Sequence, residues 1–313
     1  MNVNNSNSED ELDIKELLLV IWEGKKLIVR ITAIITLATL FYALMLTNYY
    51  KSEALLVSRD SSQNQSLLSQ YSGVASMVGV NLSTSGGGSG DEVIEIIKSR
   101  KFVRHLLTHE NILPSIMAAK GFDTSTKELL FDKNIYDPAT KKWSGSFNGG
   151  KKPSYLEAHN VYKDYIISVS MSSKTGFILI SVEHISPIFA KEFLELIIKE
   201  VNMLLRKRDM EESDQALQYL KSELSKTSLV EIKGSINALI ESQLEKQMMA
   251  QINEDYFLIA IEPPFISERK SKPNRGIIMV TGVIIGFIIS LFIVVLRHYY
   301  FSDRKIMEIN PKS

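Results

Sequence analysis

Two histidines four residues apart, His105 and His109, have a spacing at which metal ligands occur. On a helix, histidines at this spacing lie on one face and can bind a single Zn²⁺ ion. The glutamate of an H-E-x-x-H motif is missing, because position 106 is Leu106, and Glu110 would point elsewhere. We therefore interpret the two histidines as ordinary surface side chains and predict no metal site.

A phosphate-binding loop is suggested by Gly145 to Lys151, which match the pattern G-x-x-x-x-G-K. Lys152 follows where a Ser or Thr would bind Mg²⁺, and Pro153 replaces the first turn of the expected helix. No buried strand is predicted before the segment. We interpret it as a turn that binds no nucleotide.

Paired carboxylates such as Glu211 and Glu212 could act as an acid and a base, but they lie in a run of mixed charge. Such runs are typical of a solvated helix surface. We predict no catalytic residues and no cofactor, and we expect a protein that is not an enzyme.

Charge and cysteine content exclude further classes of function. The chain has 36 Lys and Arg residues against 36 Asp and Glu residues, so no basic field favours nucleic acid as a partner. It contains no cysteine, which excludes thiol chemistry and a disulfide scaffold.

Two apolar segments, residues 28–47 and 276–296, are long enough to cross a lipid bilayer. A bilayer core of roughly 30 Å requires about 20 apolar residues in a helix. The second segment, Gly276 to Leu296, contains no charged residue, and Arg30 in the first can extend its side chain to the interface. Residues 48–275 must then lie on one side of the membrane and both termini on the other.

Basic residues near the spans indicate which side is cytoplasmic. Lys25, Lys26 and Arg30 flank the first span, and Arg297, Arg304 and Lys305 come after the second. The positive-inside rule therefore favours cytoplasmic termini. Arg269, Lys270, Lys272 and Arg275 count against this orientation, but long loops are translocated largely regardless of charge.

Small residues recur along the second span at Gly282, Gly286 and Ser290. Such a stripe allows another helix to approach closely. The first span offers small residues for this contact, namely Thr32, Thr36, Thr39 and Ala43. Contact with a membrane enzyme, or simple tolerance of glycine in a membrane helix, remain alternatives.

Hydrophobic periodicity predicts a mixture of helices and strands between the spans. The predicted elements are an amphipathic helix before the first span (Leu12 to Trp22), a strand (Tyr50–Val57), a helix from Asp91 to Leu107, a hairpin (Val161–Met171 and Phe177–His184), a helix over about 187–226, a returning helix (Leu229 to Ile252) and a last strand (Tyr256–Ile261). The fold class is an α+β membrane protein with two transmembrane helices flanking an α/β base and a long extended helix.

The helix over about 187–226 would be roughly 55–60 Å long at 1.5 Å per residue. Its middle is polar, comprising Arg206, Lys207, Arg208, Asp209, Glu211 and Glu212. We expect this part to leave the core and meet solvent or a neighbouring subunit.

Several segments together resemble the polysaccharide co-polymerases, the Wzz-type chain-length determinants of bacterial surface polysaccharides. The segment Asp13 to Leu18, with Ile21, Trp22, Lys25 and Lys26, is similar to the N-terminal signature of that family. Further resemblances occur in the family's order: Tyr50–Ala54, Asp91–Arg104, Ile185–Asn202, Tyr256–Pro264, and a proline-rich stretch before the second span with Pro263, Pro264 and Pro273. That stretch has fewer prolines than the family pattern.

The resemblance implies a homo-oligomer in the bacterial inner membrane, with two spans and most of the chain in the periplasm. It implies the domain order 1–27 (cytoplasmic tail and amphipathic helix), 28–47 (first span), 48–275 (periplasmic co-polymerase domain), 276–296 (second span) and 297–313 (cytoplasmic tail). Its partners would be the lipid bilayer, a membrane polysaccharide polymerase and the growing lipid-linked glycan. Because only residues 297–313 come after the second span, we expect the branch without a fused kinase.

The function implied is control of the modal chain length of a surface polysaccharide, lipopolysaccharide O-antigen above all. Arg206, Lys207, Arg208, Glu211 and Glu212 are the candidate length-determining surface. One alternative is an export co-polymerase that works with a separate cytoplasmic tyrosine kinase, and another is a two-span membrane sensor.

Overall fold

The structure, a computed structural model, describes residues 14–58, 90–144, 151–253 and 255–309. The chain divides into two compact units, one formed by residues 1–47 and 272–313 and the other by residues 48–271. We call these the membrane unit and the central unit. Gly145 to Gly150, the predicted turn of phosphate-loop pattern, lies outside the described residues.

The described part of the membrane unit consists of three helices: α1 (Ile14–Glu23), α2 (Lys25–Met45) and α9 (Arg275–Ile309). Two stretches are long and apolar enough to cross a membrane, Lys25–Met45 with a mean hydropathy of 2.1 and Arg275–His298 with 3.0. Helices α2 and α9 pack against each other. Most of their large apolar side chains are exposed, as expected of helices solvated by lipid.

The central unit is built on one antiparallel sheet. Its strands are β1 (Tyr49–Ser58), β6 (Ile167–Met171), β7 (Ile178–His184), β8 (Leu258–Glu262) and β9 (Lys270–Lys272). They lie in the order β6-β7-β1-β8, and the short β9 also pairs with β1. The middle of the sheet pairs Ala54 with Ile180. Strand β1, at the start of the central unit, therefore pairs both with β7 and with β8 and β9 near the end of the unit.

Helices cover this sheet and form the core with it. They are α3 (Gly90–Lys98), α4 (Arg100–Leu106), α5 (Ile112–Ala118), α6 (Tyr155–Val161) and the first half of α7 (Pro187–Lys226). Leu56, Ile97, Phe102, Ile180 and Phe193 are buried side chains of one apolar cluster.

Helix α7 begins and ends where local signals predict. The Ser186 hydroxyl accepts a hydrogen bond from the Phe189 amide at 3.2 Å, and Pro187 occupies the first turn. After 40 residues, the backbone turns extended at Thr227. Helix α8 (Val230–Ile252) then returns along α7, with Leu220, Ile236 and Leu239 buried between the two helices.

Two predictions of secondary structure were wrong in detail. The predicted strand over Val161–Met171 begins only at Ile167, because a capping box of Ser154 and Glu157 starts α6 and a π-helical turn over Tyr162–Ile166 comes next. The predicted continuous helix after Asp91 is broken at Ser99, whose hydroxyl caps α4 by accepting from the Phe102 amide at 3.1 Å.

In the stretch from Pro114 to Pro153, where the residue pattern is irregular, the described residues form four short strands. They pair as β2 (Ala119–Asp123) with β3 (Glu128–Phe131), and β4 (Tyr136–Asp137) with β5 (Lys142–Trp143). Tyr136 packs between Phe131 and Trp143, with ring centroids 5.6 and 5.0 Å away. Side-chain packing thus holds these short hairpins together.

Candidate functional site

The small-residue stripe of α9 lies against α2 within the membrane unit. A Cβ atom added at Gly282 would come within 2.8 Å of the Thr39 Cβ atom. One added at Gly286 would meet the Ile35 Cβ at 3.2 Å and the Thr32 Cα at 3.4 Å. Only glycine therefore fits at position 282 without moving the helices apart.

Ser290 continues the same contact one turn further along α9. It is fully buried, and its hydroxyl accepts a hydrogen bond from the Thr32 hydroxyl at 3.3 Å. The Ser290 hydroxyl also donates to the Phe287 carbonyl at 2.7 Å. Because Ala43 of α2 is fully buried as well, the two helices are in close contact over several turns.

The proline-bearing segment Glu262–Ser271 returns along β1 in the central unit. The Ser52 hydroxyl, which is fully buried, donates to the Phe265 carbonyl at 2.8 Å. The Ser271 hydroxyl donates to the Tyr49 carbonyl at 3.2 Å. Pro263 and Pro264 lie between β8 and this docked stretch, and Pro273 precedes α9 in the membrane unit.

The polar middle of α7 is only partly exposed, which corrects the expectation that this part leaves the core. Lys207, Glu211 and Glu212 are exposed, but Arg206 and Arg208 are half-buried. The Arg208 guanidinium forms an ion pair with Glu92 of α3. Helix α7 therefore stays in contact with the rest of the central unit through its charged stretch.

Asp209 is the residue of this stretch whose surroundings the sequence did not reveal. It is 4% exposed, and its carboxylate accepts a hydrogen bond from the Tyr256 hydroxyl at 2.9 Å. Lys246 of α8 contributes a charge 3.6 Å from the carboxylate. The sequence did carry a signal, because Asp209 lies four residues after Leu205 and eight before Leu217, on one face of the helix. The structure buries that face, which comprises Leu205, Asp209, Ser213 and Leu217.

Asn202 of α7 is a second buried polar residue that no sequence motif singled out. Its side-chain oxygen accepts hydrogen bonds from the backbone amides of Phe257 and Leu258 at 3.0 and 2.7 Å. Its side-chain nitrogen donates to the Leu258 carbonyl at 2.9 Å. One amide side chain thus fixes the start of β8 onto α7.

His184, at the end of β7, is buried between the sheet and α5. Its Nε2 donates to the Ser115 carbonyl at 2.9 Å, and its Nδ1 accepts from the Ser186 amide at 3.1 Å. Loss of solvation lowers the pKa of His184 to about 4. The imidazole is therefore neutral and structural at neutral pH.

His105 and His109 are not simply surface side chains, although their rings are partly exposed. His105 lies in the last turn of α4 and His109 in the turn after that helix, so the two do not share one helix as predicted. Both Nε2 atoms face the carboxylate of Glu200 on α7, which is 3% exposed. This three-residue cluster joins α4 to α7.

Comparison with known proteins agrees with the resemblance inferred from the sequence. Residues 10–110 match the family model described as Wzz, chain length determinant protein. The matched range begins just before α1, includes α2 and β1, and ends in the turn after α4. No curated protein sequence matches the chain.

Two solved structures match the chain at low sequence identity. A full-length bacterial polysaccharide co-polymerase shares 12% identity, covering 94% of this chain and 99% of that chain, with a TM-score of 0.39. A fragment of WzzB, a polysaccharide co-polymerase from Salmonella Typhimurium, shares 12% identity, covering 72% of this chain and 100% of the fragment, with a TM-score of 0.29.

Proposed function

We propose that this chain, whose residues 10–110 match the Wzz chain length determinant family model, is a member of that family and sets the modal length of a lipid-linked bacterial surface polysaccharide. The polysaccharide that we assign is lipopolysaccharide O-antigen, and the partner is the membrane polymerase that extends it. The family match is the observation that carries this proposal. The chain itself makes and breaks no glycosidic bond in this scheme.

The proposed topology has both termini in the cytoplasm and the central unit in the periplasm. Two observations support the hairpin arrangement, and the basic residues that flank the spans favour the orientation. The first is the pair of candidate spans, Lys25–Met45 and Arg275–His298, which pack together in the membrane unit. The second is that the central unit begins and ends at one place, where Ser271 donates to the Tyr49 carbonyl, as suits a domain anchored in a membrane at both ends.

The proposed working form is a homo-oligomer whose subunits meet along α7 and α8. Large apolar side chains are exposed on this pair of helices, and such surface favours association between subunits. The most exposed are Leu229, Val230, Met248 and Ile252, with exposures of 63%, 82%, 60% and 74%. Lys207, Glu211 and Glu212 are exposed on the same helical pair and could contact a neighbouring subunit or the glycan.

The experiment that tests the function is deletion of the gene, followed by electrophoresis of the surface polysaccharide. We expect polymer to remain but its preferred length to be lost, and a plasmid copy of the gene to restore that length. Complete loss of polymer would instead favour an export co-polymerase working with a separate kinase. An unchanged ladder would refute a role in length control.

A reporter experiment tests the proposed topology separately. Alkaline phosphatase joined after Ser228, in the turn between α7 and α8, should be active because that turn is assigned to the periplasm. The same reporter joined at the C-terminus should be inactive. The opposite pattern would invert the topology without bearing on length control.

A further inference from the structure

The cluster of His105, His109 and Glu200 brings three potential metal ligands together. The His105 Nε2 lies 2.6 Å from Glu200 Oε2, and the His109 Nε2 lies 3.3 Å from Glu200 Oε1. One ligand atom from each residue lies within 4.8 Å of the others. The two imidazole rings stand edge to face, with centroids 5.9 Å apart.

Glu200 requires a positive charge from its surroundings. Its side chain is 4% exposed, and an ionised carboxylate without a partner is costly at such a depth. Within the described residues, its ion-pair partners are the two histidines, and no lysine or arginine pairs with it. A cation bound between the two histidines and Glu200 would supply that charge.

His109 provides a second observation that favours a ligand at the cluster. Its Nε2 atom is buried and forms no hydrogen bond with any described residue, although Glu200 Oε1 is 3.3 Å away. A buried ring nitrogen that makes no hydrogen bond has lost the solvation that a hydrogen bond would replace. A metal ion between His109 and Glu200 would satisfy both groups.

We propose that His105, His109 and Glu200 bind a divalent transition-metal ion of the Zn²⁺ class. Two imidazole nitrogens and one carboxylate oxygen are ligands that such ions accept, whereas Mg²⁺ and Ca²⁺ prefer oxygen ligands alone. At bond lengths of about 2.0 Å, the ligand atoms of a tetrahedral ion are about 3.3 Å apart. The His109–Glu200 separation already has this value, and the His105 ring must move outward slightly.

The exposure of the rings allows this movement and admits the ion. The side chains of His105 and His109 are 41% and 37% exposed, while the carboxylate that anchors the site is held in the core. Three protein ligands leave a fourth position for water. The bound ion would tie the end of α4 to α7, beside the buried side chains of Val103 and Val201.

Metal titration of the full chain in detergent, carrying no histidine tag, tests this proposal. After removal of metal with a chelator, Zn²⁺ is titrated by calorimetry, and Co²⁺ is added to record its d–d absorption. We expect one ion per chain, a tetrahedral Co²⁺ spectrum, and an unfolding temperature that Zn²⁺ raises and the chelator lowers again. Mg²⁺ should not compete.

Two variants and a control locate the site. His109→Ala should weaken Zn²⁺ binding at least about 100-fold, since even changes outside the ligand shell cost 10–100-fold in affinity. The fold should survive, because the ring is partly exposed and its Nε2 makes no hydrogen bond. Glu200→Gln should also abolish binding, whereas Glu110→Gln, which removes an exposed carboxylate nearby, should leave it unchanged.

Absence of saturable binding to the chelator-treated chain would overturn the proposal, as would unchanged affinity in His109→Ala. The metal site and the proposed function fail separately, because loss of Zn²⁺ binding says nothing about whether deletion of the gene changes polysaccharide length.

Discussion

The buried imidazole of His184 links a single residue to the pH dependence of stability. The folded pKa is about 4, against an ordinary value of 6.5, and desolvation is the principal cause. In the unfolded chain the ring takes up a proton near pH 6.5, whereas in the folded protein it does so only near pH 4. Folding stability from this residue is therefore complete above about pH 6.5 and is lost as the pH falls toward 4.

We predict that His184→Gln flattens the acid dependence of unfolding. Between about pH 6.5 and 4, His184 should account for a loss of about 3 kcal/mol, at 1.36 kcal/mol per pKa unit. Denaturant unfolding of both proteins at a series of pH values measures the difference in slope. Because Gln does not titrate, equal slopes in the two proteins would show that His184 is not the titrating group.

Close approach of α9 to α2 also rests on individual residues, Gly282 and Gly286. We predict that replacing both by Leu impairs length control, because the added side chains would overlap Thr39 and Ile35 of α2 and force the helices apart. The polysaccharide ladder should lose its preferred length. Protein level and the protease resistance of the central unit should remain near those of the wild type.

Gly276→Leu is the matched control. A Cβ atom added at position 276 would have one described neighbour within 4 Å, the Asn274 Oδ1 atom, at an ordinary contact distance of 3.4 Å. This variant should retain the wild-type ladder. An unchanged ladder in the Gly282/Gly286 double variant would mean that the close helix contact has no part in length control.

At the scale of elements, the central unit depends on buried polar contacts that α7 makes with α8 and with the segment leading into β8. Asn202 holds β8 through three hydrogen bonds, and Asp209 meets Tyr256 and Lys246. The long helix is therefore more than a rod projecting from the base. Its first two-thirds carry the polar contacts that fix α8 and the returning strand.

We predict that Asn202→Ala destabilises the central unit by about 3 kcal/mol, because the amides of Phe257 and Leu258 and the Leu258 carbonyl lose their buried partner. Thermal unfolding gives the change in stability, and hydrogen exchange of the β8 amides should show where protection is lost. Asn237→Ala, at an exposed position of α8, is the control. Equal effects of the two substitutions would argue against the hydrogen-bonded contact.

At the scale of the whole molecule, the proposed association of subunits rests on the exposed apolar side chains of α7 and α8. Burial of apolar surface contributes about 25 cal/mol per Å², so several such side chains can drive subunits together. We predict a closed homo-oligomer of more than four subunits in detergent, with a count that native mass spectrometry can give.

Met248→Glu should lower the subunit count, because it places a charge on a side chain that is 60% exposed on α8. Its effect on folding should be small at such a position, which circular dichroism can check. Glu245→Gln, one turn away and exposed, serves as the control. A monodisperse monomer that still supports normal polysaccharide length in cells would refute the oligomeric part of the proposal.

Much of the architecture results from local sequence signals. An apolar run of about 20 residues without charges predicts a membrane helix from length and composition alone, as for Gly276 to Leu296. Ser186 and Pro187 begin α7 because a cap and a proline act within one turn. Alternating and β-branched residues likewise predict the β6–β7 hairpin. Each of these three signals depends only on residues nearby in the sequence.

Tertiary structure alone decided which polar residues are buried and which groups they contact. Asp209 looks like part of an exposed charged run until Tyr256 and Lys246 are brought to it from later elements. Glu200 meets His105 across 95 residues of chain, a separation at which no local spacing rule can predict a contact. Helical periodicity reports the face on which a residue lies, but the partner on that face depends on how distant segments pack.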